Sequence, residues 1–153
     1  MTRFAADGVD TGDMTIRDLT ASDIDAAAAL WHQAGLTRPW NSPELDAQRA
    51  LDGDTSTVLG AFDDERLVGA VMVGHDGHRG WVYYLAVDES QRGTGLGMRM
   101  MAAAEDWLRT NGVAKVQLMV RSGNDAVLGF YEHLGYEDAN VQVRSKWLFQ
   151  PAS

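Results

Sequence analysis

Three observations predict a mixed α/β fold in a single domain. The chain has 153 residues, which is the usual size of one domain and is long enough to bury a core. Apolar residues make up 45% and charged residues 23%, a balance typical of ordinary globular proteins. Stretches with helical hydrophobic periodicity alternate along the chain with short β-branched and aromatic stretches, and no segment is repeated.

The N-terminal third is predicted to hold one strand and two helices. Thr20 and Asp23 have the spacing of a capping box, with Asp in the position of the usual Glu, and therefore mark a helix start. Ser42 followed by Pro43 combines a preferred N-cap with the residue preferred at the first helical position. The predicted elements are a disordered tail over 1–13, a strand from Met14, and helices over 24–31 and 43–51.

Three strands are predicted in the middle of the chain, over 57–62, 67–73 and 81–87. The first two are joined by the short polar turn 63–66, which indicates a hairpin. The third follows a second turn, 76–80, and is rich in the aromatic and β-branched residues that favour strands.

The C-terminal half is predicted to form helix, strand, helix and strand, over 96–109, 116–120, 124–133 and 141–149. The apolar residues on one face of the first of these helices are Leu96, Met100, Met101, Ala104, Trp107 and Leu108. Gly112 follows that helix as a stop signal, and Gly135 has the position expected of the C′ glycine of the second helix. The predicted element order is therefore β-α-α-β-β-β-α-β-α-β.

Composition and charge exclude several classes of function. Acidic residues outnumber basic ones by 22 to 13, a formal net charge of −9, so nucleic-acid binding, which needs a basic surface, is not expected. The absence of cysteine excludes disulfides, thiolate metal sites and a cysteine nucleophile. The four histidines contain no H-x-x-x-H pair, so no metal site is predicted. No apolar run approaches the roughly 18 residues of a membrane span and no signal peptide is recognisable, so we expect a cytoplasmic protein without membrane contact.

The most informative stretch is a glycine loop between the aromatic strand and the helix over 96–109. Gly93, Gly95 and Gly97 alternate there, so the backbone can turn several N–H groups toward one point. Together with the helix N-terminus these donors form a site for phosphate. Arg92 and Arg99 are the only ionisable residues between 91 and 104 and supply local positive charge. The alternative interpretation is a flexible turn without a ligand.

The spacing of this loop excludes two other phosphate-binding motifs. A dinucleotide-binding fingerprint needs a third glycine where Met98 or Met100 stands. A P-loop needs a Gly-Lys-Ser/Thr sequence, and this stretch contains no lysine. Dinucleotide and P-loop nucleotide binding are therefore not predicted.

Residues 92–97 resemble the R/Q-x-x-G-x-G/A loop of the GNAT family, the GCN5-related N-acetyltransferases. Downstream, residues 124–136 resemble the family's N-x-x-A-x-x-F-Y-x-x-x-G-F/Y segment. The resemblance extends over about 14–149, and the predicted element order matches the family's fold. Two shorter segments are similar to the YpeA-type branch of bacterial GNAT proteins, 36–41 and 76–81.

This resemblance implies a GNAT domain over 14–149 and a C-terminal tail over 150–153, with a mostly antiparallel sheet whose strands splay and are flanked by helices. It implies transfer of an acetyl group from acetyl-CoA to a primary amine of a small metabolite, peptide or protein, by direct attack in a ternary complex. In the family the loop amides bind the CoA pyrophosphate, and the preceding strand carries a β-bulge whose main chain pairs with the pantetheine arm. The cofactor-binding residues implied are Leu85, Ala86, Val87, Arg92, Gly93, Thr94, Gly95, Leu96, Gly97 and Asn124.

By the family pattern Tyr131 is the general acid that protonates the departing CoA thiolate. A phenol of pKa about 10 can donate a proton to a thiolate whose conjugate acid has a pKa near 8.5. The alternative is a tyrosine packed in the core through its ring. Asn124 is implied as a pantetheine or acceptor-side contact, although Asn directly before a helix is also a preferred N-cap.

Four residues are candidates for the acceptor side: Trp40, Asp76, His78 and Tyr83. Trp40 lies in the loop that overhangs the acceptor in this fold, although a Pro-Trp corner packed on the sheet explains it equally well. Strand 81–87 contains no carboxylate where many family members have the general base. The candidates for a base acting through water are Asp76, His78, Asp88 and Glu44.

A site without a strong base favours an acceptor amine of low pKa. An α-amine with a pKa about 7.7 is partly neutral at physiological pH, whereas a lysine amine with a pKa near 10.4 needs about 4 kcal/mol to lose its proton. The negative net charge favours a cationic acceptor. The chain is expected to be a monomer or a homodimer. Two alternatives stay open: a non-catalytic acyl-CoA-binding or interaction module on the same fold, and a protein with a different phosphate ligand.

Overall fold

The middle layer of the molecule is a five-stranded sheet, seen in a computed structural model that describes residues 14–150. Its strands, in spatial order, are β1 (Met14–Asp18), β2 (Ser56–Asp63), β3 (Arg66–His75), β4 (Gly80–Val87) and β5 (Val116–Gln117). The first four pair antiparallel, and β5 pairs parallel to β4, which confirms the predicted mixed sheet. The tail predicted over 1–13 and most of the tail predicted over 150–153 lie outside the described residues.

Three α-helices cover the two faces of this sheet: α1 (Ile24–Gln33), α2 (Pro43–Asp52) and α3 (Leu96–Thr110). A further helix, α4 (Asp125–His133), has no fully buried residue and packs on the α3 side through Phe130 and Tyr131. The N–H of Thr20 donates to Asp23 Oδ2 at 2.9 Å, and Ser42 Oγ accepts from the Leu45 N–H at 3.2 Å, as expected of the two predicted helix starts. Single 3₁₀ turns, Ala21–Asp23 and Glu89–Gln91, lie just before α1 and α3. Within residues 14–150 no helix has both the length and the apolar character needed to cross a bilayer.

Two hydrophobic cores, one on each face, hold the layers together. Trp31 of α1 and Ala47 of α2 are fully buried on one face, against Val58 of β2. Met100 of α3 is fully buried on the other face, where it packs with Val71 of β3. Because both faces of β2 and β3 are covered, these strands are continuous apolar runs rather than alternating ones.

Strand β4 is irregular on both of its sides. Toward β3 the register shifts, so that Tyr84 and Leu85 together lie opposite the single residue Val71, which is the arrangement of a β-bulge. Toward β5, only Gly80 and Trp81 have partners. The predicted bulge and splay are therefore both confirmed, and among residues 14–150 β4 has, from its third residue onward, a hydrogen-bonded neighbour on one side only.

The prediction of a last strand over 141–149 is wrong. Residues 134–150 form no strand, and the apolar side chains of this segment are strongly exposed, with Val141 at 72%, Leu148 at 84% and Phe149 at 76% of full exposure. The segment has the residue types of a strand, but a strand also needs a neighbour with free main-chain groups. β5 ends after Gln117 instead of continuing through the predicted 116–120, so it offers too short a ladder to pair with.

The α3 core gives a direct test of the packing. Replacing Met100, which is fully buried, with alanine is expected to lower the free energy of unfolding by about 2–5 kcal/mol, because apolar contacts are lost and a cavity remains. Met98 on the same helix is 46% exposed, and Met98→Ala is expected to change it by less than about 1 kcal/mol. Urea unfolding followed by circular dichroism measures both, and equal losses would contradict this assignment of the core.

Candidate active site

The glycine loop begins with a short turn that is fixed by hydrogen bonds. Asp88, directly after β4, accepts from the Ser90 N–H at 2.9 Å and pairs with Arg66 at 2.9 Å. The hydrogen bonds from Ser90 and the nearby Arg66 hold the pKa of the Asp88 carboxyl below its usual value. Gly93 and Gly95 follow with φ of 77° and 83°, a conformation that glycine adopts without strain.

The main-chain N–H groups of the loop divide into paired and unpaired ones. The N–H of Arg92 donates to the Glu89 carbonyl at 3.1 Å, and that of Thr94 to the Gln91 carbonyl at 3.2 Å. Among residues 14–150 no acceptor is present for the N–H groups of Gly93, Gly95, Leu96, Gly97 and Met98. Gly95 is the N-cap of α3, so these donors lie at the positive end of a 15-residue helix. The loop has the geometry of an anion site, and Arg92 can contribute to it through its guanidinium. Thr94 uses both its N–H and its hydroxyl proton on the Gln91 carbonyl, the hydroxyl at 2.7 Å.

The three glycines of the loop serve two different purposes. A Cβ atom on Gly93 or Gly95 would meet nothing within 4 Å, so these two are needed for their backbone angles and leave open space beside the loop. A Cβ on Gly97 would lie 3.4 Å from Phe130 Cζ and 3.9 Å from Val87 Cγ2. Gly97 therefore lies where the start of α3 approaches α4 and the end of β4, and a methyl group there would make ordinary van der Waals contact.

Two arginines give the loop its positive charge. Arg92 is exposed and Arg99 is partly exposed, and neither forms an ion pair with a carboxylate of residues 14–150. Since the chain as a whole carries a formal charge of −9, this pair is the local compensation that an anionic ligand needs.

The open edge of β4 continues from the loop. The Asp88 N–H donates to the Val68 carbonyl of the β3 side at 2.8 Å, and Ala86 lies opposite Ala70 in the same register. Hydrogen-bonded and non-hydrogen-bonded pairs alternate in an antiparallel ladder, so the N–H and C=O of Ala86 face β3. Those of Val87 face the open side. Of the three main-chain positions implied by the resemblance, Ala86 is therefore directed away from the groove and Val87 toward it.

Tyr131 lies on α4, next to the start of α3. Its ring packs edge-on against Phe130, with ring centroids 5.0 Å apart, and against Tyr136, with centroids 5.7 Å apart. Burial raises the pKa of Tyr131, so its hydroxyl is protonated at neutral pH. That hydroxyl has no hydrogen-bond partner among the described residues, and its proton is thus not committed to another protein group. The ring packs on the α3 core, as the alternative interpretation expects, and the hydroxyl is left without a partner among the described residues, so the acid role stays a prediction.

Asn124 is the N-cap of α4. Its Oδ1 accepts from the Val127 N–H at 3.3 Å, and its carbonyl accepts from the Leu128 N–H at 3.1 Å. Capping uses the side-chain oxygen, so the Nδ2 amide is the part of Asn124 left for a ligand.

Asp76, His78 and Tyr83 gather at the beginning of β4, the end opposite the glycine loop. Asp76 accepts from the N–H groups of His78 at 2.9 Å and Arg79 at 2.8 Å, and these bonds hold its pKa below the usual value. Burial and the charge of Asp76 raise the pKa of Tyr83. The Asp76 carboxylate shapes this turn, and His78 is exposed. Among the described residues no three His, Asp or Glu side chains form a cluster suited to a metal ion.

The α1–α2 side of β4 contains two residues that sequence reasoning did not single out. The Tyr84 hydroxyl donates to Asp46 Oδ2 at 2.8 Å, and the Tyr84 ring stacks on Trp31 with centroids 4.4 Å apart. Trp40, in the loop between α1 and α2, is 44% exposed, so part of its ring is accessible to a ligand. In the sequence, the two adjacent tyrosines Tyr83-Tyr84 break the strand alternation and so indicate an irregular strand. Nothing in the residues around Tyr84 or Asp46 indicates the hydrogen bond between them.

The structure brings together the glycine loop, the end of β4 and α4, since a Cβ on Gly97 would lie within 4 Å of both Phe130 and Val87. Asp76 and His78 stay at the far end of β4, and Trp40 lies in the loop between α1 and α2, whose helices pack on the other face. A cavity of about 560 Å³, lined among others by Asp18, Asp52 and Trp107, contains no residue of this grouping.

Comparisons with known proteins identify the class of protein that has this glycine loop, the bulged strand β4 and helix α4. The sequence profile of the acetyltransferase (GNAT) family matches residues 26–136, and the chain belongs to this family. An acetyltransferase of Pectobacterium atrosepticum is 42% identical over 137 residues, which cover 90% of this chain and 97% of that relative.

Solved structures show the same fold at low sequence identity. AAC(6')-Iy in complex with the bisubstrate analog CoA-S-monomethyl-acetylneamine superposes with a TM-score of 0.76 at 17% identity, over 88% of this chain and 97% of that one. A transcriptional regulator from Bacillus halodurans C-125 superposes with a TM-score of 0.74 at 19% identity, over 88% and 99%. The described functions of these two neighbours differ, so the shared fold alone does not define a reaction.

All four tyrosines of the chain are expected to ionise above the ordinary phenol pKa of 10.0 while the protein is folded. Burial is the largest cause in each, and hydrogen bonds to Asp46 and Glu105 add to it for Tyr84 and Tyr136. Titration of the phenolate absorbance measures this, with the urea-unfolded chain as the control. A tyrosine that titrates at 10 or below in a protein with native circular dichroism would contradict it.

The same shifts predict a loss of stability in alkali. A pKa raised in the folded state contributes stability that is complete below the unfolded value of about 10 and is lost as the pH rises through the folded value. The free energy of unfolding is therefore expected to fall above pH about 10. Tyr136→Phe removes the phenol that binds Glu105 and is expected to make this fall shallower.

Proposed function

We propose that this protein is an N-acetyltransferase that transfers an acetyl group from acetyl-CoA to a primary amine, by direct attack in a ternary complex. The observation that carries the proposal is the row of unpaired N–H groups at Gly93 and over 95–98, at the start of α3 beside an open strand edge. Membership of the acetyltransferase (GNAT) family supports it. The CoA-containing analog bound to AAC(6')-Iy, a neighbour in fold, is consistent with the same donor.

In this proposal the glycine loop binds the pyrophosphate of the donor. The unpaired loop amides donate to its oxygens, and Arg92 adds a charge-assisted contact, which is stronger than a neutral hydrogen bond. Gly93 and Gly95 leave the space beside the loop free for such a ligand.

The open edge of β4 binds the pantetheine arm and orients the thioester. Val87 directs its main-chain groups to that side, and the bulge at Tyr84 and Leu85 changes the direction of the strand just before it. A main-chain N–H directed at the thioester carbonyl stabilises the negative charge that develops there during attack. Removal of one such donor typically costs about 10²–10³-fold in kcat.

Tyr131 then protonates the sulfur that leaves as the amine displaces it. Its raised pKa means that the proton is present at every physiological pH. A phenol of pKa about 10 is a weaker acid than a thiol of pKa near 8.5, so proton transfer to the free thiolate is uphill by about 2 kcal/mol, and the raised pKa of Tyr131 adds to this cost. The proton therefore moves while the C–S bond breaks, and the phenolate is afterwards reprotonated from solvent.

The acceptor is proposed to be an amine of low pKa, such as the α-amine of a metabolite or peptide. Asp76 and Asp88 are poor candidates for a base, because hydrogen bonds to their carboxylates lower both pKa values. A partly neutral amine needs no strong base. The acidic chain favours an acceptor that arrives as a cation.

The loop can be tested with two matched glycine variants. Gly95 and Gly112 flank α3, both have positive φ, and a Cβ on either meets nothing within 4 Å. Alanine at either position is expected to cost about 1–2 kcal/mol of stability through backbone strain. We expect Gly95→Ala to weaken CoA binding roughly tenfold or more, because strain at Gly95 displaces the loop N–H groups that bind the pyrophosphate. Gly112→Ala strains the other end of α3 and is expected to leave CoA binding unchanged. Calorimetric titration with CoA measures the affinities; equal affinities would refute the proposed pyrophosphate site.

The role of Tyr131 is tested by Tyr131→Phe. This variant keeps the packed ring and removes the acidic proton, so kcat is expected to fall about 10²-fold or more while CoA affinity stays the same. Release of CoA thiol across a panel of α-amines and lysine amines measures it. A fall of less than about threefold would exclude the acid role.

Two outcomes of the same assays distinguish other functions. CoA binding without thiol release for any amine would indicate a non-catalytic acyl-CoA-binding module. A rise in melting temperature with ATP or NAD that exceeds the rise with CoA at the same concentration would indicate a different phosphate ligand, because a ligand that binds the native state more tightly stabilises it more.

A further inference from the structure

We propose that Tyr84 and Asp46 are a positioning pair, which holds the bulge of β4 so that the main chain of the following residues faces the acyl donor. The pair joins the bulge to α2 by one hydrogen bond of 2.8 Å between residues 38 apart in sequence. This inference rests on the proposed function, since it concerns how the same site is kept in shape.

The first reason is backbone strain at the bulge. Tyr84 has a φ of 59°, in the left-handed region that glycine usually occupies at this type of bulge. A bulky residue in that region costs on the order of 1–3 kcal/mol and persists only where surrounding contacts hold it. The contacts of Tyr84 must therefore stabilise a conformation that its own backbone disfavours.

The second reason is the direction of the Tyr84 side chain. Val82 packs in the α3 core, and regular alternation would direct Tyr84 to that same face. The extra residue of the bulge reverses the alternation, so Tyr84 packs in the α1–α2 core and Leu85 in the α3 core. Undoing the bulge would therefore move Tyr84 off Trp31 and Leu85 off the α3 core together, because a shift of one residue exchanges the two faces.

The third reason is that both ends of the tyrosine are held. Its ring is stacked on the fully buried Trp31, with centroids 4.4 Å apart and planes 18° from parallel. Its hydroxyl donates to Asp46 of α2, and Glu44 is the other charged group near it. Burial and the Asp46 carboxylate raise the Tyr84 pKa, so the donor stays protonated over the physiological range. The stack on Trp31 fixes the position of the Tyr84 ring, and the hydrogen bond to Asp46 fixes its rotation.

Loss of the hydrogen bond is expected to act on the chemical step more than on donor binding. The glycine loop binds its part of the donor without help from the bulge. A displacement of about 1 Å at the reacting end can cost roughly 10²-fold in rate. The pair therefore affects kcat and leaves the KM for acetyl-CoA nearly unchanged.

The test uses four variants and kinetics with acetyl-CoA and an accepted amine. Asp46→Ala removes the acceptor, Tyr84→Phe removes the donor but keeps the stack, and Asp46→Asn keeps an oxygen that can accept. Asp52→Ala is the control, because Asp52 is an exposed carboxylate on the same helix that accepts from Gln48 Nε2 at 2.9 Å and from no other side chain of the described residues. We expect Asp46→Ala and Tyr84→Phe to lower kcat roughly 10–100-fold with KM changed less than about threefold, and Asp46→Asn to stay within about fivefold of wild type.

Amide hydrogen exchange of the free protein gives a second readout that needs no activity. In Asp46→Ala the segment 80–88 is expected to exchange roughly tenfold faster than in wild type, because a charge-assisted hydrogen bond has been lost. The β2–β3 hairpin and the Asp52→Ala control are expected to be unchanged.

Each outcome has a definite meaning. Wild-type kcat in Tyr84→Phe, or exchange over 80–88 that does not change in Asp46→Ala, overturns the positioning pair. Equal losses in Asp46→Asn and Asp46→Ala, together with an altered acid limb of the pH–rate profile, would overturn it in favour of Asp46 as a base. Absence of acetyl transfer by the wild type refutes the proposed function instead, and hydrogen exchange then still decides whether the pair holds the bulge.

Discussion

The arrangement of the site depends on main-chain groups that the fold leaves without partners. Within residues 14–150, β4 has a neighbour on both sides at Gly80 and Trp81 and on one side only after that. A second set of unpaired N–H groups, at Gly93 and over 95–98, lies beyond the turn 88–92, where the N–H groups are mostly paired. Main-chain N–H and C=O groups need hydrogen bonds, from water or from a ligand. The fold thus presents two sets of polar main-chain groups to whatever enters the groove, one along the edge of β4 and one at the positive end of α3.

The two cores on either side of the sheet have different relations to this edge. The α3 core carries the glycine loop and packs α4 against it through Phe130, so it sets the distance between the anion site and Tyr131. The α1–α2 core holds the bulge from behind, through the stack of Tyr84 on Trp31. A site made of main chain cannot be adjusted by side-chain rotation. Its geometry is determined by how well these two cores fix the strand between them.

Local chemistry was predictable from sequence wherever a residue acts on its own neighbours. Capping by Ser42 and Asn124, the positive φ of Gly95 and Gly135, and the periodicity of α3 all follow from residue type and spacing. The bond between Tyr84 and Asp46 joins distant segments and leaves no periodic signal. The prediction of a strand over 141–149 failed for a related reason. The composition of a segment shows that it could form a strand, but it does not show how long the strand beside it will be.

Gly97 shows how closely the two halves of the site constrain each other's evolution. Bulk added at position 97 reaches the Phe130 ring at 3.4 Å, next to the residue proposed as the acid. A methyl group at position 97 would make ordinary van der Waals contact there, so alanine fits without any change at 130, whereas a longer side chain would need the space of the ring. Substitutions beyond alanine at 97 are therefore expected to be non-additive with those at 130, as for residues in direct contact. Across relatives, a residue larger than alanine at 97 should occur with a smaller ring or an aliphatic residue at 130, a correlation that arises from packing and carries no information about the acceptor.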